Sequence, residues 1–249
     1  MLNLELALQC ARLSQEVYGN FASIKFSAAS TTQVTLVEAE VPELAKAETP
    51  KPPKTDTQAA ILYEPDLNQA ILVFRGSESK VDWFNNAQFR QKTYPYGDDS
   101  STDVRFHRGF MAAYFAVRDR LQAVIRQYPT ATLVVTGHSL GGALATIAAL
   151  DLQYNITQHS KQPLSVYTFG APRVGNAALV ESFSQRVPNS YRFVYGRDLV
   201  THLPRVWQGY RHVPAAEKLP APFTWKFFTQ SLKDHEIINY VSSLKAKVG

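Results

Sequence analysis

Leu4, Ala7, Leu8 and Ala11, with Cys10, Leu13 and Val17 beside them, recur at the spacing of one helical face, and Gly19-Asn20 closes the pattern. Residues 32–37 then alternate as a half-buried strand does. Residues 41–57 carry four prolines and several lysines among few apolar positions, so they read as an exposed loop. Two apolar runs, 58–63 and 70–74, flank Glu64-Pro65-Asp66-Leu67-Asn68 and predict a hairpin. From 109 to 128 the pattern is helical, with Ala113, Val117, Leu121 and Val124 on one stripe and Pro129 as its stop. A β-branched run at 131–135, a helical run at 143–150, a strand at 164–169, a helix to about Val187 and a strand at 191–195 follow. Strands alternating with helices predict an α/β fold: a central, mainly parallel sheet covered on both faces.

The transition at Thr136-Gly137-His138-Ser139-Leu140-Gly141-Gly142-Ala143 organises the rest. A buried strand runs into it and a helix rich in small residues runs out, so Ser139 sits on a sharp turn with glycine two positions to either side. That is the context of a nucleophile elbow, Gly-x-Ser-x-Gly, and of an α/β-hydrolase sheet. Side chains at 137 or 141 would collide with the neighbouring strand and helix, and the turn presents the serine Oγ at the positive end of a helix.

A chain of 249 residues is expected to form a single domain of this kind, and no internal repeat argues otherwise. The formal charge of +5 is unevenly placed. Residues 190–249 hold nine Lys/Arg against four Asp/Glu, which is the whole excess. No nucleic-acid-binding motif accompanies them; a solvated face or a mild attraction to anionic lipid is the expectation. Cys10 is the sole cysteine, so no intramolecular disulfide forms, and its helical setting predicts a buried structural thiol. Residues 1–16 lack the basic start of a signal peptide, which points to a cytoplasmic protein or one released without a classical signal. No run is apolar enough to span a bilayer. Asn155-Ile156-Thr157 has the form of a glycosylation acceptor, which carries little weight without a secretion signal.

A serine hydroxyl needs a histidine to remove its proton and a carboxylate to orient that histidine. In this fold the acid and then the base follow the serine in chain order, on loops after later strands. Asp198, in Gly196-Arg197-Asp198-Leu199-Val200, stands where the acid belongs. Of six histidines, His107 and His138 precede Ser139, and His138 is expected to point away from the elbow tip. His159 precedes the acid, His202 shares the acid's loop, and His212 lies in a short extended run at 208–213 that suits a packed, hydrogen-bonded ring. His235, in a loop opening the last helix, is left as the base. Asp234 is a rival acid, but an adjacent carboxylate rarely turns back onto its neighbour's ring. The predicted triad is Ser139, Asp198 and His235. The oxyanion donors are predicted to be the N–H of Leu140 and, after the earlier strand in Phe74-Arg75-Gly76-Ser77, the N–H and hydroxyl of Ser77. This chemistry calls for no metal and no cofactor.

Phe74-Arg75-Gly76-Ser77, Trp83, His107-Arg108-Gly109-Phe110, the elbow, Gly170-Ala171-Pro172-Arg173-Val174-Gly175, Asp198-Leu199-Val200 with Leu203-Pro204, and Asp234-His235 with Tyr240 together resemble the class 3 lipases. That family includes the filamentous-fungal triacylglycerol lipases and related plant and bacterial enzymes. The resemblance runs from about 58 to 240 and implies an α/β-hydrolase that cleaves acylglycerol esters at an oil–water or membrane interface through an acyl-enzyme. By position it matches Ser139, Asp198 and His235 to the family triad, Ser77 and Leu140 to its oxyanion hole, and residues 79–89 to its helical lid. In that segment Val81, Trp83, Phe84 and Phe89 alternate with polar residues, which fits either a lid that turns its apolar side to lipid or a surface helix whose aromatics are core. Phe223-Thr224-Trp225-Lys226-Phe227-Phe228 is a second aromatic segment, suited to the wall of an acyl cleft. A phospholipase A1 or a feruloyl-type esterase shares the same machinery, and a catalytically silent lipid-binding scaffold is the alternative from another class.

Overall fold

The computed structural model of the chain describes residues 1–39, 56–76, 91–93, 103–214, 216–221 and 227–249, with the main chain alone at 91–93 and 227–229. Most of the proline-rich loop, the predicted lid, Ser77 and residues 223–226 lie outside this set. In chain order the elements are α1 (Leu4–Glu16), β1 (Gln33–Glu38), β2 (Gln58–Glu64), β3 (Gln69–Phe74), β4 (Gln91–Thr93), β5 (Arg105–His107), α2 (Arg108–Phe115), α3 (Arg118–Ile125), β6 (Thr132–His138), α4 (Leu140–Leu152), β7 (Leu164–Phe169), α5 (Ala177–Arg186), β8 (Ser190–Tyr195), β9 (Ala216–Leu219), α6 (Phe227–Lys233) and α7 (Ile237–Val248).

Seven strands form one sheet in the order β1-β2-β3-β6-β7-β8-β9. Only β2 runs against the others: it pairs antiparallel with β1 and β3, whereas β3, β6, β7, β8 and β9 pair in parallel. The predicted hairpin is the β2–β3 pair, closed by a 3₁₀ turn at Pro65–Leu67 and by Asn68 in the left-handed region at φ 45°. Side chains alternate across the sheet as the pleat requires. Ala59, Ile61, Leu72, Phe74, Leu133, Val135 and Val166 face the layer of α2, α3, α4 and α5. Ala60, Leu62, Ile71, Val73, Val134, Tyr167 and Phe169 face α1 and α7, which also pack on each other. Both faces are therefore dry, as the near-continuous apolar runs of the central strands require.

Cys10 is fully buried on α1, and burial pushes its thiol up to about 12, so it is an inert packing residue as its helical setting predicts. The helical run at 109–128 departs from expectation. It breaks at Ala116 and Val117, where Val117 leaves helical geometry at φ −122°, ψ −9°, and continues as the separate helix α3. The apolar stripe survives, since Ala113, Val117 and Leu121 are buried. Tertiary bonds outweigh helical continuity here. Just past the break, Arg118 Nε reaches both oxygens of Asp151 at 3.1 Å.

Asp151 is a fully buried carboxylate in the middle of the helical layer. Its oxygens also accept from Tyr114 Oη at 2.6 Å, Gln122 Nε2 at 2.7 Å and Asn155 Nδ2 at 2.9 Å. One charge thus ties α2 and α3 to α4, and it engages the amide of the Asn155 acceptor motif. Such a charge is tolerable only because every lone pair has a donor. Replacing Asp151 by Ala would remove the carboxylate that Arg118, Tyr114, Gln122 and Asn155 share. We expect a loss of about 3 kcal/mol or more in urea-induced unfolding; a loss below about 1 kcal/mol would show that the network contributes little.

Candidate active site

The elbow forms as the sequence dictates. Strand β6 ends at His138, Ser139 adopts φ 57° and ψ −127°, and α4 begins at Leu140. This main-chain geometry is strained for a residue with a side chain and persists only where the surroundings over-determine it. The glycines supply that constraint. A Cβ at Gly137 would stand 2.4 Å from the carbonyl of Gly141, and one at Gly141 would stand 2.3 Å from the carbonyl oxygen of Phe74 on β3. Strand and helix therefore touch main chain to main chain, and the turn between them has one path.

His235 Nε2 lies 2.7 Å from Ser139 Oγ, and its Nδ1 lies 2.8 Å from Asp198 Oδ2. The three predicted residues thus form one hydrogen-bonded chain. Asp198 is fully buried and His235 is 3% exposed, so water competes little for these bonds. Because Oδ2 is an acceptor, Nδ1 carries the proton, which leaves the Nε2 lone pair directed at the serine hydroxyl. Two further donors hold the carboxylate: the Val200 N–H reaches Oδ1 at 2.9 Å and Tyr240 Oη donates to Oδ2. Gly170, at φ 59°, lets the loop after β7 pass the triad, since a Cβ there would meet Asp198 Oδ2 at 2.6 Å and His235 Nδ1 at 3.0 Å.

The rival acid Asp234 has a different role in the architecture. It is buried, with Oδ2 accepting from the Arg197 N–H and Oδ1 from Gln230 Nε2, each at 2.8 Å. It joins the loop that carries His235 to the loop that carries Asp198. His138, expected to point away from the elbow tip, stands behind the base. Its ring centroid lies 4.6 Å from that of His235, and its Nε2–H donates to the His235 carbonyl oxygen at 2.7 Å. The opposite nitrogen, Nδ1, meets Tyr18 Oη from just beyond α1 at 3.0 Å. His138 therefore supports the main chain of His235 from behind. Its position next to Ser139 was a usable signal; Tyr18 left none in the sequence.

His107 and His212 are structural groups. His107 caps α2, with Nδ1 accepting from the Phe110 N–H at 3.3 Å, and burial lowers its pKa to about 4. His212 Nε2 donates to the Thr201 carbonyl, and burial first, then Arg192, lowers its pKa to about 3. The extended run expected around His212 reduces to a single bridge between Gly175 and Arg211 after a 3₁₀ turn. Leu140 stands at the first position of α4, so its N–H is one of the donors that helix geometry leaves without an intrahelical acceptor. Ser77, Val81, Trp83, Phe84 and Phe89 lie outside the described residues.

The sheet order, the single reversed strand near its start and the serine on a strained strand–helix turn define a protein of the α/β-hydrolase fold. Lipase II from Rhizopus niveus superposes with a TM-score of 0.74 over 95% of this chain and 92% of that one, at 22% identity, which speaks to the fold. Residues 71–207 match the family Lipase (class 3), more than half of the chain, and the chain belongs to that family. It is 35% identical over 161 residues to a lipase of Rhizomucor miehei, covering 63% of this chain and 43% of that protein. It is 34% identical over 183 residues to the secreted mono- and diacylglycerol lipase A of Penicillium cyclopium, covering 72% and 57%. The chain thus spans about half the length of these relatives.

Two outcomes follow. His107 and His212 stay neutral in the fold, whereas the unfolded chain takes up protons below about 6.5. Their contribution to stability is complete above that pH and is lost as the pH falls toward about 4, at roughly 1.4 kcal/mol per unit for each ring. In His107→Asn, which keeps an N-cap acceptor, the urea-derived slope below pH 6.5 should be shallower by about 1 kcal/mol per unit; an unchanged slope would exonerate His107. Second, Asp198→Asn should reduce ester turnover by about four orders of magnitude. Asp234→Asn, which retains an acceptor for the Arg197 N–H, should stay within about tenfold of wild type. The reverse ranking would move the acid to Asp234.

Proposed function

We propose that the protein is a serine carboxylic ester hydrolase acting on acylglycerols, and that the continuous bond chain from Ser139 through His235 to Asp198 carries the reaction. As a substrate carbonyl reaches Ser139 Oγ, the hydroxyl proton passes to His235 Nε2, and the new C–O bond closes a tetrahedral intermediate. The imidazolium this creates faces the buried Asp198 carboxylate, which is already fixed by Val200 and Tyr240 and does not need to reorganise. Negative charge on the former carbonyl oxygen develops toward the Leu140 N–H at the positive end of α4, with Ser77 as the second proposed donor. His235 then protonates the departing alkoxide, the acyl-enzyme forms, and water repeats the sequence in the second half.

Acylglycerol as the substrate class is supported by family membership and by the names of the relatives. The lid reading of residues 79–89 remains part of this proposal: closed over the cleft in water, open at an interface.

Fluorophosphonate labelling tests the assignment. The wild type should be labelled at Ser139, Ser139→Ala should not be labelled, and His235→Ala should react at least about a thousandfold more slowly. Labelling that survives Ser139→Ala would place the nucleophile elsewhere. Among short-chain nitrophenyl esters, emulsified triolein and phosphatidylcholine, the protein should favour triolein, with a rise in rate once droplets form. A preference for phosphatidylcholine or for aryl esters would move the protein to another branch of the same chemistry.

A further inference from the structure

The loop from Asp198 to Val213 carries a feature that the hydrolytic chemistry leaves unused. The 3₁₀ turn Val206–Gln208 holds Trp207 79% exposed and Val206 45% exposed. Trp207 is the most exposed aromatic side chain among the described residues. The turn is well built: the Arg205 N–H donates to Gln208 Oε1 at 2.7 Å, Gly209 closes the turn at φ 83°, and Arg211 Nη1 donates to the Val206 carbonyl at 3.0 Å. The Arg205 guanidinium lies 5.3 Å from the indole centroid, over its ring. An ordered turn therefore holds a large apolar ring out in water with a cation against its face. Nothing in folding favours that arrangement by itself.

The surroundings are positively charged. Arg173, Arg192, Arg205 and Arg211 converge on this loop, and among the described residues none of the four has a carboxylate within salt-bridge distance. The crowding disfavours the charged form of two of them, Arg173 and Arg192. Burial first, then Arg211 and Arg205, lower the Arg173 pKa; burial first, then Arg173, lower that of Arg192 to about 10. Arg173 also ties the patch to the active site. Its N–H donates to the Leu203 carbonyl and its Nη1 to the Pro204 carbonyl, each at 2.7 Å. Because β6, β7 and β8 are parallel, Ser139, the Gly170–Gly175 loop and the Asp198 loop all leave the same edge of the sheet.

We propose that this turn is an anchor for anionic phospholipid surfaces: Trp207 and Val206 enter the interfacial layer while Arg205, Arg211 and Arg173 take head-group phosphates. Indole rings settle at the level of the head groups, and basic side chains within a Debye length of an anionic leaflet add to the attraction. Phosphates would also relieve the repulsion among the arginines, a charge complementarity that a neutral triglyceride droplet does not offer. Binding itself is independent of the ester-hydrolase reading; only its use, delivering the surface to Ser139, rests on that reading.

The test is co-sedimentation of the full chain with phosphatidylcholine vesicles, with and without phosphatidylglycerol, at low and raised salt. Wild type should partition more strongly onto the phosphatidylglycerol vesicles and lose that preference in salt. Arg205→Gln and Arg211→Gln should each weaken it about fivefold, and Trp207→Ser should weaken binding to both vesicle types. Arg205→Gln and Trp207→Ser should keep wild-type melting, and all three should keep wild-type hydrolysis of a soluble short-chain ester. Equal wild-type binding to the two vesicle types would overturn the proposal, as would variants that bind as wild type does. So would a wild-type dimer that Trp207→Ser dissolves, since the patch would then face a second copy. Vesicle binding without ester hydrolysis by wild type would refute the functional reading and leave the anchor standing.

Discussion

Everything at the catalytic edge depends on one main-chain constraint, the strained turn at Ser139. Its φ of 57° is held by contact between the strand before it and the helix after it, and that contact exists because two positions have no Cβ. The constraint extends one strand further. Gly141 presses on the carbonyl of Phe74, and Phe74 is in register with Gly137 across the β3–β6 pair. A slip of that register would remove the surface against which α4 is seated. The serine's position is thus a property of three adjacent elements.

Around that turn, buried polar groups are fixed by partners distant in sequence. Asp198 keeps its orientation through a main-chain N–H two residues on and a tyrosine on the last helix. Asp234 joins the two loops that carry base and acid, and His138 supports the His235 carbonyl from below. None of these three need touch a substrate. They remove the freedom that a histidine in a loop would otherwise have, so that little reorganisation is left for the reaction itself.

Much of this was legible in the residues, for identifiable reasons. Strand and helix periods are local, so the strand Leu164–Phe169 is read at its true ends and the elbow is recognised from its flanks. The order of loops after strands then narrows the acid and base to Asp198 and His235. What was not legible is what depends on contacts between remote segments. The break at Val117 follows from a carboxylate on another helix. The short edge strand Ala216–Leu219 has no apolar alternation to announce it and exists through pairing with β8. The sequence neighbours of Asp234 and His138 do not reveal their roles, which Arg197 and the main chain of His235 decide.

The Tyr18–His138–His235 contact has a consequence for how the molecule comes together. It joins segments separated by 120 and 97 residues, and the first of them directly follows the helix that packs against α7. Ordering such distant segments requires large loops to close before any local reward is collected, so these bonds belong to the late, cooperative stage of folding. Formation of the Ser139–His235 bond after denaturant is diluted would therefore track docking of both helical layers on the sheet, and a chain stalled with its outer layer undocked would present a well-formed elbow with no base in reach.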